Sequence, residues 1–123
     1  MLRTFIVRGI GIAATAACVA ALSAATVRAA GQDAALVEKG KALYAAQKCN
    51  LCHTIAGVGK KTGTTLDGVG GKLSAEDIRQ WFTDPVAAAA KHKSTKKPVM
   101  PVKFGKLPAA DIDALVAYMQ SLK

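Results

Sequence analysis

The stretch Cys49-Asn50-Leu51-Cys52-His53 constrains this chain more than any other. Two thiols at that spacing can each add across a vinyl group of one haem, and the adjoining imidazole is then held under the ring, within reach of the iron. One short turn thus supplies two covalent anchors, Cys49 and Cys52, and a proximal ligand, His53. The cofactor it implies is a single, covalently attached haem c. Other readings compete. A zinc site needs two more ligands at matching spacing, and the remaining candidates, Cys18 and His92, are unpaired in the sequence. A thioredoxin-like dithiol belongs after a strand in a βαβ unit, whereas the residues before Cys49 have a helical period. A disulfide between Cys49 and Cys52 closes a very short loop and leaves His53 without a role.

Residues 1–29 have the layout of a secretory signal peptide: Arg3 and Arg8 precede an apolar, Ala-rich stretch from Gly9 to Val27 that contains no acid. Val27-Arg28-Ala29 fits a peptidase site, so cleavage is expected after Ala29, leaving residues 30–123 as one domain in the periplasm. The competing reading is a retained membrane anchor, because the stretch approaches the roughly 20 residues needed to span a bilayer. Its Ala, Gly, Ser and Thr content makes it only weakly hydrophobic. Cys18 lies inside it, and Thr15, three positions earlier, is not the aliphatic residue expected before a lipid-modified cysteine.

Loss of Arg3, Arg8 and Arg28 with the leader takes the count from 17 basic residues to 14, against 8 acidic ones, so the domain carries +6. Lys91, Lys93, Lys96, Lys97, Lys103 and Lys106 lie on both sides of Met100 in sequence, and if they ring an exposed haem edge they point to an acidic protein partner; dispersed solubilising charge is the competing reading, and nucleic acid is a poor alternative. About ninety residues with few aromatics make a thin core, and domains of this size commonly need a staple. An apolar ring bonded at two cysteines is one.

Helices dominate the pattern, and no run alternates as a strand does. The first is expected from Asp33, as N-cap, to about Gln47, with Leu36, Gly40, Leu43, Tyr44 and Gln47 on one face. Gly40 on that face predicts a second helix crossing closely there. Thr54 to Lys72 holds six glycines and reads as loop. Ser74 and Asp77 suggest a capped start for a helix carrying Ile78, Trp81 and Phe82 on one face, with Trp81 read as core packing near the haem. Asp84-Pro85 reads as an N-cap and first helical residue. The run Lys91 to Lys97 reads as a solvated loop. Pro98 and Pro101 then bracket Val99-Met100 and hold that pair extended. Ile112, Leu115, Val116, Met119 and Leu122 form the apolar stripe of a helix expected over residues 108–122.

With these pieces located, the chain resembles the class I c-type cytochromes over essentially all of residues 30–123. Family members carry a Gly and an aromatic four residues on in the first helix, matched by Gly40 and Tyr44. They cross it with a last helix bearing a Leu-x-x-aromatic pair, matched by Leu115 and Tyr118. The haem motif is matched by Cys49, Cys52 and His53, and the distal Met-Pro by Met100-Pro101. The resemblance implies an all-α small cytochrome c fold, roughly three to five helices wrapped around one haem, with the N- and C-terminal helices crossing. One departure stands out. The family usually has Gly-Pro-x-Leu after the haem motif, the proline carbonyl accepting the imidazole N–H, and here Thr64 stands at the proline position.

Met100 is the expected distal ligand, with Met119 and His92 as rivals. A thioether raises the haem potential relative to a second imidazole, and a filled sixth position leaves no room for oxygen or peroxide. The expected function is therefore that of a periplasmic one-electron carrier, not an enzyme. It would cycle Fe(III)/Fe(II) with His/Met ligation and serve redox partners with acidic docking surfaces, as a monomer. A membrane-tethered subunit of an oxidoreductase complex is the alternative if the leader is retained. A small haem peroxidase or gas sensor is the alternative if the sixth position is open.

Overall fold

The computed structural model describes residues 33–123. The leader expected over residues 1–29, Cys18 included, lies outside the described residues. Within them the first helix, α1, covers 33–46, and a 3-10 turn follows at Cys49–Leu51. The short strands β1 (Thr54–Ile55) and β2 (Val58–Gly59) come next, then α2 (Val69–Lys72), α3 (Ala75–Thr83) and α4 (Pro85–Lys91). A second 3-10 turn at Val102–Lys106 leads into α5 (Ala109–Ser121). The chain is mostly helical, as expected.

Local chemistry accounts for the helix starts. The Ser74 hydroxyl accepts from the Asp77 N–H at 3.1 Å and donates to the Asp77 carboxylate at 3.0 Å, closing the first turn of α3 reciprocally. The Asp84 carboxylate accepts from the Ala87 N–H at 3.0 Å, and Pro85 occupies the first position of α4, where its missing N–H costs nothing. Differences from the sequence reading are small and have physical causes. Asp33 is itself helical, not a cap. In the Gly-rich stretch β1 pairs with β2 as a hairpin, Thr54 opposite Gly59 and Ile55 opposite Val58. Its turn has positive φ at Ala56 and Gly57, the geometry that matches strand twist. Two paired residues per strand are too few to produce a visible alternation.

The core is built on α5. Ile112, Leu115, Val116 and Met119 are buried with Ile78 and Phe82 of α3 and Phe104 of the second 3-10 turn, and Leu43, Tyr44, Leu66, Met100 and Tyr118 pack around them. Leu115 is completely covered. Gly40 of α1 faces α5 so closely that a Cβ there would lie 2.7 Å from the Tyr118 Cβ and would also strike the Ala114 carbonyl. The helices thus cross backbone to backbone, as the position of Gly40 predicts. Lys39 and Asp111 close the same crossing at 2.7 Å. Gly40→Val is expected to lower stability by at least about 1–3 kcal/mol, the range for forcing atoms into a packed contact, read as a lower denaturation midpoint in urea.

Candidate haem-attachment site

Lys48, at φ 55°, turns the chain off the end of α1 and into the Cys49–Leu51 turn. The Cys49 carbonyl accepts from the N–H of Cys52 at 3.1 Å and of His53 at 3.0 Å, so both thiols and the imidazole hang on one closed turn. Cys49 is half-buried and Cys52 exposed, and both are free thiols. Burial pushes the Cys49 thiol up to about 11. A thiol protonated at neutral pH is a poor exchange nucleophile, which counts against a redox dithiol. Among the described residues no group of three or more His, Cys, Asp or Glu side chains is placed to hold a metal, which counts against zinc.

The His53 Nδ1 lies 2.9 Å from the Thr64 carbonyl oxygen. A carbonyl only accepts, so Nδ1 carries the proton and donates, leaving the Nε2 lone pair for a metal. Thr64 therefore supplies the carbonyl that the usual proline would. Gly63 lets the loop come this close: its N–H donates to the Cys52 carbonyl at 2.6 Å, and a Cβ at this position would stand 3.0 Å from the His53 Cε1. The Tyr44 hydroxyl donates to the His53 carbonyl at 3.4 Å while its ring meets Tyr118 edge-on, centroids 5.8 Å apart. Burial pushes Tyr44 up to about 12, so it remains a donor throughout the physiological range.

The loop carrying Thr64 is held by a residue that sequence reasoning passes over. Asp67 accepts from the Ala56 N–H at 2.7 Å and from the Thr65 hydroxyl at 2.9 Å, joining the hairpin turn to the segment beside His53. A lone acid in a Gly-rich stretch reads as a solvated charge, and no spacing rule marks it. These two hydrogen bonds, the backbone one first, hold the Asp67 carboxyl below the usual carboxylate range. Asp77 is held low as well, first by Lys91, whose ammonium sits 2.7 Å away, and then by Ser74. Both contributions are present above the ordinary carboxylate pKa of about 3.9 and are lost as pH falls through the lower folded values. The Lys91 ammonium is raised by the same partner, so its share is lost only as pH rises past its ordinary 10.5. Stability is thus expected to fall below about pH 4, with Asp67→Asn and Asp77→Asn each making the acid limb shallower in pH-dependent melting.

Met100 is half-buried between Pro98 and Pro101 and packs against the core cluster. The two rivals are otherwise engaged. Met119 is buried in the core on α5. His92, read as solvated, instead stacks on Trp81 with centroids 6.1 Å apart and lies 3.5 Å from the Asp77 carboxylate. Trp81, read as core, is half-buried in that stack. Two thiols on one turn, an imidazole with one nitrogen satisfied and the other free, and a half-buried thioether form a donor set that fits haem c.

A family model described as Cytochrome c matches residues 37–123 of the chain, nearly all of its described part. No solved structure matches it.

Proposed function

Because the chain belongs to the cytochrome c family, we propose that it is a periplasmic carrier passing single electrons between protein partners. It would do so through one haem c joined to Cys49 and Cys52 and ligated by His53 and Met100. The family binds haem c and its general work is electron transfer, so the coarse part of this reading follows from membership. The finer part is supported chiefly by the 2.9 Å hydrogen bond from His53 to the Thr64 carbonyl, which fixes the ring and frees Nε2 for iron.

When bound, haem supplies a one-electron Fe(III)/Fe(II) couple. Everything else is the work of side chains. Cys49 and Cys52 would hold the ring edge, the Thr64 carbonyl orients and enriches His53, and Met100 would supply a thioether to the iron and so exclude small molecules. Leu43, Leu66 and Phe104, with their neighbours in the core, limit water around the site. A thioether in the sixth position would favour a carrier over a peroxidase or gas sensor.

The partner surface follows from where the charges are. Residues 39–66 and 85–110, which hold the attachment turn and Met100, contain Lys39, Lys41, Lys48, Lys60, Lys61, Lys91, Lys93, Lys96, Lys97, Lys103 and Lys106. All eight acidic residues lie outside these two spans. Lys93, Lys96, Lys97, Lys103 and Lys106 are exposed and make no ion pair among the described residues. If these lysines share a face, they would steer the protein onto an acidic partner.

Export is supported by the sequence of the leader alone. No helix among the described residues is long and apolar enough to cross a membrane.

One set of measurements on the purified, exported protein tests the reading. Covalent haem, a reversible one-electron reduction, a red-region band from methionine sulfur on ferric iron, and electron exchange that slows with salt are expected. The N-terminal residue is expected near position 30. Rapid cyanide or CO binding would instead indicate an open sixth position and defeat the carrier assignment.

A further inference from the structure

We propose that Asp67 is the positioning residue for the proximal imidazole, doing by hydrogen bonding what the family's usual proline does by covalent rigidity. The inference rests on the assignment of His53 as an iron ligand and concerns how that ligand is held.

Proline at position 64 would fix φ and with it the direction of its own carbonyl. Threonine does not, so something else must hold the oxygen that accepts from His53. The structure offers two links. On the chain side, Gly63 donates to the Cys52 carbonyl and Leu66 donates to the Thr54 carbonyl at 2.9 Å, anchoring the peptide on either side of Thr64 and Thr65. Those bonds fix where the segment runs, but both bracketing residues are joined to Thr64 through rotatable backbone. The second link is Asp67. Its Oδ2 takes the Thr65 hydroxyl and its Oδ1 takes the Ala56 N–H, so one carboxylate ties the residue after Thr64 to the hairpin turn. The Thr65 hydroxyl also lies 3.4 Å from the Thr54 carbonyl, next to His53 in sequence. Ala56 is held at φ 50°, an uncommon conformation for a residue with a Cβ, and it is this N–H that the carboxylate grips. A charged acceptor makes both bonds stronger than a neutral one.

The chain of contacts runs from Asp67 through Thr65 to the Thr64 carbonyl and so to His53 Nδ1. A firm acceptor at Nδ1 raises imidazole basicity and favours ferric iron, while a loosened one favours ferrous. The inference therefore predicts a change in the redox equilibrium from a residue that touches neither haem nor its ligands.

The test uses the exported holoprotein and three variants, Asp67→Ala, Asp67→Asn, and Asp67→Ala combined with Thr64→Pro. The expected result for Asp67→Ala is a several-fold shift of the equilibrium constant toward the reduced form, with covalent haem and the methionine band intact. Asp67→Asn, which keeps one acceptor, is expected to fall between, and it remains informative if the alanine variant does not fold. Adding Thr64→Pro is expected to return the equilibrium toward the wild type, since the Thr64 N–H makes no hydrogen bond among the described residues that proline would remove. Ser74→Ala, which removes the α3 cap far from the haem motif in sequence, serves as the control. An unchanged potential in Asp67→Ala and Asp67→Asn overturns the inference, as does an equal shift in Ser74→Ala or a double variant that regains stability but not potential. A wild-type protein without covalent haem, or with haem not bound by His53, marks failure of the functional assignment itself and is seen before any variant is made.

Discussion

Met100→Ala is expected to abolish the red-region methionine band of the ferric protein and to make it bind cyanide and imidazole rapidly, while haem stays covalently attached. The thioether is a weak, soft ligand that stabilises ferrous iron, and its removal leaves water or an adventitious nitrogen in its place. The potential is expected to fall by a sizeable part of the about 0.8 V range over which axial ligands act. Stability is expected to fall much less, because Met100 is only half-buried and the cluster it packs against is closed by Phe104 and Leu115 without it. A variant that keeps the band transfers the ligand role elsewhere. Met119→Leu then identifies the replacement, although burial on α5 argues against it.

Replacing both Cys49 and Cys52 with serine should produce the largest change in the molecule. Haem would then be held by coordination and contact alone, and acidified organic solvent is expected to extract it, whereas the wild type retains its colour in the protein fraction. Loss of a ligand present at a thousandfold its dissociation constant removes about 4 kcal/mol of stability, and a covalent link corresponds to a far higher effective concentration than that. For a domain with few aromatics and one cluster of buried side chains, a loss of this size is a large part of the total. The expected readout is a melting transition that is broad or absent in the double variant and sharp in the wild type.

Much of this was legible in the sequence because the informative residues act locally or through regular periods. Ser74 and Asp84 announce their helices by chemistry that needs only the next three residues. Gly40 announces the α1–α5 crossing because a glycine on an apolar stripe has few other reasons to be there. Cys49, Cys52 and His53 lie within one turn, so their mutual placement follows from covalent geometry. What stayed hidden depends on contacts between segments that no period links. Asp67 reaches Ala56 across eleven residues of Gly-rich chain. His92 looked solvated because lysines surround it in sequence, yet the end of α4 lies against α3 and brings it to Trp81 and Asp77. The Thr54–Ile55 and Val58–Gly59 pairing leaves no sequence signal, because strands of two residues have no period to read. Thr64 is a mixed case: the sequence shows both the missing proline and a backbone carbonyl still available to the imidazole, but not what holds that carbonyl in place.

The close approach of Gly40 to Ala114 and Tyr118 also bears on how the molecule comes to be assembled. Its two sides are separated by most of the domain's length in sequence, so the loop that must be closed is long and its closure entropy high. During synthesis, residue 40 has no partner until residue 118 has emerged. The α1–α5 crossing is therefore expected to close after the attachment turn is exposed, so that a bulky planar group could be fitted before the last helix packs.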